Sequence, residues 1–192
     1  MKTGITGGIG SGKSYVCRLL ARRGIEVYDC DSAAKRLMRT SQPLRQQLID
    51  LIGPQAYASA DGQTLNKAAV AQFLLASEEN AHSIDAIVHP AVFHDFQESG
   101  CQWVESAILY ESGLDRLVDK VVVVTAPDDV RIARIVQRDG ITPEKARQWI
   151  DRQWPQALVR QKADYEIVND GTMPLDDQID GLLRFLGRED YI

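Results

Sequence analysis

Apolar positions along the chain fall into short extended runs separated by longer stretches of helical period. Lys2 to Thr6 reads as a first short strand. In residues 15–23, Val16, Leu19 and Leu20 share one face of a helix. Ile25-Glu26-Val27-Tyr28 reads as a second strand, and a buried strand followed by a loop is expected around 102–106. Val121-Val122-Val123-Val124-Thr125 is uninterrupted and β-branched, the pattern of a central parallel strand covered on both faces. Tyr165-Glu166-Ile167-Val168 is the last strand, and 175–186 closes the chain as an amphipathic helix. Between the second and third strands the period changes. Residues 32–39, 43–52, 66–76 and 78–97 are all helix-like, with Asp61-Gly62 a turn between two of them and Pro90 predicted to break or restart the last.

Strands alternating with helices predict an α/β fold on a parallel sheet. The helical block is then an inserted lobe, 32–98, and the core comprises 1–31, 99–136 and 163–192. Ala126-Pro127-Asp128-Asp129 starts a helix on which Arg131, Arg134 and Arg138 share a face, and Asp139 to Glu144 forms a glycine turn into a second helix start. Two arginine-rich helices joined by such a turn predict a lid, assigned to 137–162. A lid excludes water and brings positive charge to a phosphoryl group in transfer.

The strongest chemical signal is Gly7-Gly8-Ile9-Gly10-Ser11-Gly12-Lys13-Ser14, which matches G-x-x-x-x-G-K-[ST] at every fixed position between a strand and a helix. Glycines let the backbone approach a phosphate, and successive N–H groups with the helix N-terminus bind it. Gly8, Gly10, Ser11 and Gly12 are therefore placed around the phosphates of ATP. Lys13 is placed on the β- and γ-phosphates, and the Ser14 hydroxyl on Mg²⁺. Tyr15, bulky and next in line, is placed in contact with the nucleotide, and Arg134 is placed with ATP from the arginine face.

Composition narrows the partners. The chain has 192 residues, 44% of them hydrophobic, and a net charge of −5. Residues 131–162 carry eight basic and three acidic side chains, so the remainder is strongly acidic. That balance argues against general nucleic-acid binding and fits a compact polyanion. Apolar runs are too short for a membrane span, and with a strand starting almost at Met1 a cytoplasmic location is expected. The three cysteines lack a metal-like spacing and are read as reduced thiols. Oligomeric state is left open.

Four carboxylates are candidates for further chemistry. Asp29 and Asp31, two apart at a strand end, are expected to point the same way near the phosphates, to take a proton from an attacking hydroxyl or to hold Mg²⁺ through water. Asp31 is also suited to cap the helix starting near Ser32. Glu105 sits where a phosphate-loop enzyme often has a Mg²⁺-associated acid, and Glu111 is the second candidate.

Taken in order, these pieces resemble the dephospho-coenzyme A kinase family. The resemblance rests on Thr6 to Ser14, Asp29-Cys30-Asp31, His89-Pro90, Glu111, Gln137-Arg138-Asp139 with Thr142, Gln153, and Ala163, Asp164, Ile167, Asn169 and Gly171. It implies a three-layer P-loop kinase fold with a parallel sheet core, an inserted helical acceptor lobe and a helical lid. The activity implied is ATP-dependent phosphorylation of the ribose 3′-hydroxyl of dephospho-coenzyme A. In that scheme Lys13, Asp31 and Arg138 are catalytic, Asn169 and Gly171 lie near adenine, and Asp29, Asp31, His89 and Glu111 serve the acceptor. The chain differs from the family pattern at Tyr15, at Glu105-Ser106-Ala107 and at Asn66-Lys67. Two other readings share the phosphate loop. A mononucleotide kinase is not expected to carry the D-x-D and His-Pro elements, and a nucleotide switch would more often show an N-K-x-D box, which is missing.

Overall fold

The computed structural model describes residues 1–57 and 64–192, so the Asp61-Gly62 turn lies outside the described residues. Two compact units result, one of Met1–Tyr28 with Cys101–Ile192 and the other of Asp29–Gly100.

The first unit is built on a five-stranded sheet, order β2-β3-β1-β4-β5. Its strands are β1 (Thr3–Thr6), β2 (Val27–Asp29), β3 (Trp103–Glu105), β4 (Lys120–Thr125) and β5 (Tyr165–Val168). β1 lies parallel to both β3 and β4, and β4 parallel to β5. Register sets what comes next. Ile5 is level with Glu105, Thr6 with Val123, and Thr125 with Val168, so these four strands end at one edge. In β4 every residue after Lys120 is buried, as its unbroken valine run requires.

One face of the sheet presents Ile5, Val122, Val124 and Ile167 to two helices. α1 (Lys13–Arg22) contributes Val16, Leu19 and Leu20, and α9 (Leu175–Phe185) contributes Ile179, Leu182 and Leu183. Spacings of three and four put each trio on one stripe. Full burial of such a side chain stabilises by about 1.5–3 kcal/mol, so these stripes hold the sheet's end in place. α6 (Asp128–Asp139) and α7 (Pro143–Asp151) pack separately through Ile135, Ala146 and Ile150, against Ile9 of the glycine loop. α8 (Gln156–Lys162) follows, and Gln156 exchanges hydrogen bonds with the Ala126 backbone, 3.2 Å each way. The outer side of β5 is partly covered by α9, where Gln178 accepts from the Val168 N–H at 2.8 Å and donates to its carbonyl at 2.9 Å.

The second unit is helical. α2 (Cys30–Thr40), α3 (Gln42–Ile52), α4 (Lys67–Ala76) and α5 (Glu78–Ser99) are capped by Asp29, Ser41, Asn66 and Ser77. Two sequence expectations are corrected here. α2 begins at Cys30, not near Ser32, and its cap is Asp29: Oδ1 accepts from Asp31 N at 2.9 Å and Ser32 N at 3.1 Å. Asp31 therefore sits in the first helical turn, and the strand argument that aligned it with Asp29 fails. α5 also runs on through Pro90. Ile84, Val88, Val92 and Phe96 form one buried stripe spanning the proline, and their packing outweighs the lost backbone bond. Among the described residues no helix is long and apolar enough to cross a membrane.

Candidate active site

The site of the first unit starts where β1 ends. Gly10 at φ +80° and Gly12 at φ +90° take left-handed backbone that L side chains rarely adopt. Gly10 is also needed for close approach, because a Cβ there would stand 2.7 Å from the Arg131 carbonyl of α6. Ser11 N donates to the Gly8 carbonyl at 3.0 Å, closing the turn. Gly12 then serves as the N-cap of α1, with no side-chain cap on that helix end.

An outer ring of side chains holds this loop. Arg131 Nε donates to the Ile9 carbonyl at 3.0 Å. Arg134 Nη1 donates to the Gly10 and Ser11 carbonyls, both at 3.3 Å. Asn169 Nδ2 donates to the Ser11 carbonyl at 2.8 Å, and Gln153 Oε1 accepts from the Ile9 N–H at 2.7 Å. Arg131 is only 3% exposed and pairs with Asp128 at 3.1 Å. Burial pulls its guanidinium below its ordinary pKa, with Asp128 opposing the shift. A guanidinium remains charged through such a shift, so a buried positive charge lies behind the loop.

Lys13, mostly buried, forms an ion pair with Glu105. The parallel register explains the match, since Glu105 is level with Ile5 just before the loop begins. Glu105 and Glu111, left open by the sequence, are thereby separated. Glu111 is exposed and lines a pocket with Gly8, Arg131, Gln153 and Trp154. Ser14 is exposed in the first turn of α1. Tyr15 is exposed as well, with the Arg18 guanidinium 5.4 Å from its ring centroid.

The arginine face of α6 divides. Arg131 and Arg134 are engaged with the loop, because α6 packs directly on Gly10. Arg138, at the far end, is exposed and forks onto Asp139 at 2.7–3.1 Å. That hydrogen bonding raises its pKa above the ordinary arginine value. Asn169 is 9% exposed, with both polar atoms engaged: Nδ2 on Ser11 and Oδ1 accepting from Arg134 Nη2 at 3.3 Å. Gly171 is exposed at φ +87°.

In the second unit Asp29 is committed to its cap, with Ser32 Oγ also donating to it at 2.7 Å. Asp31 is exposed and paired at 2.7 Å with Lys35, one turn on. That bond raises the Lys35 pKa. His89 is half-buried, stacked on Phe93 with centroids 6.1 Å apart, and its Nε2 lies 3.6 Å from Asp85.

Arg131 and Gln153 are loop-holding residues that the sequence did not single out for that task. The available signals were the three-residue spacing of Arg131 and Arg134 and the glutamine of the family pattern. As a metal site, the exposed Ser14 hydroxyl and the Glu105 carboxylate are hard oxygen donors, which suit Mg²⁺ with its retained waters and substrate phosphates. Among the described residues no group of three or more His, Cys, Asp and Glu side chains is arranged to hold a metal by itself.

Comparison with known proteins gives a consistent result. Residues 1–174 match the family model described as dephospho-CoA kinase. A dephospho-CoA kinase of Bacteroides fragilis is 39% identical over 197 residues, 97% of this chain and 93% of that protein. Another, from Porphyromonas gingivalis, is 40% identical over 177 residues, covering 86% and 84%. A Thermus thermophilus crystal structure superposes with TM-score 0.79 at 28% identity, over 97% of this chain and 96% of that one. The dephospho-CoA kinase of Campylobacter jejuni (TM-score 0.64, 18% identity, 97% and 96% covered) and a shikimate kinase of Bacteroides thetaiotaomicron (0.57, 14%, 97% and 98%) share the fold.

Proposed function

The chain belongs to the dephospho-CoA kinase family, and on that premise we propose how its residues carry the γ-phosphoryl group of ATP to the ribose 3′-hydroxyl of dephospho-CoA. The protein is a kinase of coenzyme A biosynthesis with the α/β P-loop kinase fold. One observation supports the reading most: the glycine loop opens onto the helix N-terminus, with Lys13 at its rim and buried cationic side chains behind it.

Phosphoryl transfer needs positioning and charge neutralisation more than covalent chemistry. In this reading the N–H groups of Gly10, Gly12, Lys13 and Ser14 cradle the phosphates, those of Ile9 and Ser11 being bonded to Gln153 and Gly8. Lys13 exchanges Glu105 for the β- and γ-phosphates, and Arg138 leaves its exposed partner Asp139 to neutralise the group in transfer. Residues 137–162 act as the lid that carries this change. Ser14 would hold Mg²⁺, with the Glu105 carboxylate as a further hard oxygen donor for it. The metal supplies charge neutralisation on the phosphate oxygens. Tyr15 and Gly171 flank the nucleotide. The Asp29–Gly100 unit receives the acceptor, with His89 as a binding group, and Glu111 of the sheet-bearing unit is a further acceptor-binding group. Asp31 takes the proton of the 3′-hydroxyl, and Asp29 orients it by capping α2. Dephospho-CoA and ATP are the partners in a cytoplasmic reaction.

The test is ADP release from ATP and Mg²⁺ with dephospho-CoA, adenosine, AMP and CMP as separate acceptors, repeated with Asp31→Asn. Turnover with dephospho-CoA alone and a loss on the order of 100-fold in the variant are expected. Preference for a mononucleotide would refute the acceptor assignment. Full activity in the variant would remove Asp31 from the role of base.

A further inference from the structure

We infer that Asn169 and Arg134 govern nucleotide affinity through the phosphate loop and do not read the base; they are positioning residues. The inference rests on the phosphate-loop reading above. Across a trans peptide the C=O of one residue and the N–H of the next point in opposite directions. Holding the Ser11 carbonyl from outside turns the Gly12 N–H to the opposite side, and holding the Ile9 carbonyl does the same for Gly10 N–H. Both carbonyls are held: Ser11 by Asn169 Nδ2 at 2.8 Å and Arg134 Nη1 at 3.3 Å, and Ile9 by Arg131 Nε at 3.0 Å. The peptide between them is fixed differently, since Ser11 N is bonded within the loop to Gly8. Asn169 thus acts on one particular peptide, the one leading into the N-cap of α1, and Arg134 acts on that peptide and, through the Gly10 carbonyl at 3.3 Å, on the one before it.

The clamp is rigid. Asn169 follows β5 directly, and its own N–H donates to the Thr125 carbonyl of β4 at 2.8 Å, tying it to the sheet. Arg134 Nη2 in turn donates to the Asn169 carbonyl at 3.0 Å and to its Oδ1 at 3.3 Å, which orients the amide so that Nδ2 faces Ser11. A Cβ on Gly12 would overlap Asn169 Nδ2, so glycine at 12 is required by Asn169 as well as by φ. With 9% exposure and both polar atoms engaged, the Asn169 side chain is poorly placed to hydrogen-bond an adenine.

The experiment compares ATP, GTP and inorganic tripolyphosphate binding by calorimetry to the wild type, Asn169→Leu and Arg134→Lys. Leucine is near asparagine in size and neutral, and lysine keeps the charge but loses the fork. Affinity for all three ligands should fall by a similar factor, on the order of 10-fold for the loss of a charge-supported hydrogen bond. The ATP to GTP ratio and the KM for dephospho-CoA should stay unchanged. If Asn169→Leu does not fold, Arg134→Lys provides the same comparison. Unchanged tripolyphosphate binding with altered ATP to GTP selection would overturn the inference in favour of base reading. Unchanged binding of all three would also overturn it. A wild type that binds none of them would refute the phosphate-loop reading itself, and the inference with it.

Discussion

Glu105→Gln keeps the shape of the Lys13 partner and removes its charge. The two side chains are 10% and 13% exposed, so their attraction is only partly screened. Two unit charges about 4 Å apart at an effective dielectric near 20 attract by roughly 4 kcal/mol, and desolvation of both ions offsets part of that. A net loss of about 1–3 kcal/mol is expected when the acceptor becomes neutral. In a domain of this size that is a fall of roughly 2–10 °C in unfolding temperature. The same weakening should assist nucleotide binding, because phosphates must replace the carboxylate on Lys13. Without Mg²⁺, ADP should bind the variant on the order of 10-fold more tightly. With Mg²⁺, turnover should fall if Glu105 is the metal-associated acid proposed above, since an amide is a weaker donor to the metal than a carboxylate. Thermal unfolding and calorimetry in chelator read the two effects separately. A variant that is less stable yet binds ADP no more tightly would refute the reasoning, because the ion pair and the phosphates would not then compete for Lys13.

Other outcomes follow from single contacts. Gly12→Ala should lose about 1–2 kcal/mol from its φ of +90° and also displace Asn169, so ATP affinity should fall by more than stability alone accounts for; normal ATP binding would contradict the clamp. Burial opposes the charge of Asp164, but the Lys120 ammonium at 2.7 Å and the Val121 N–H at 2.8 Å outweigh it and hold its carboxyl below the usual range. A depressed folded value means stabilisation that is present above the unfolded carboxylate pKa and lost as pH falls through the folded one, so the effect fades below about pH 4. Asp164→Asn should lower the urea midpoint at pH 7 and flatten the acid limb; an unchanged limb would count against it. Tyr110 has a buried hydroxyl without a partner among the described residues, and burial, with Asp164 and Asp115 adding, pushes its pKa up to about 12. Tyr110→Phe should therefore be neutral or stabilising by up to about 1 kcal/mol in urea unfolding, and a clear loss would mean that the hydroxyl has a partner.

Much of this molecule was legible along the chain because it is encoded locally. The glycine loop, the buried β4 run and the helix after Pro127 each depend on residues a few positions apart, where period, glycine and proline act directly. Those signals, in order, also carried the family. What the sequence left open depends on pairs far apart. Glu105 meets Lys13 across 92 positions because β1 and β3 align in parallel register. Asn169 meets Ser11 across 158 positions because β5 ends beside the loop that follows β1. Helical spacing placed Arg131, Arg134 and Arg138 together, but only the packing of α6 on Gly10 buried Arg131 and left Arg138 exposed. Local rules likewise put a break at Pro90 and a cap at Asp31. The buried stripe of α5 outweighed the first, and the chain's turn out of β2 gave the second to Asp29. Composition and period determined which elements form and what chemistry they carry. Strand register and helix packing decided which side chain meets which, since those contacts exist only once distant segments are brought together.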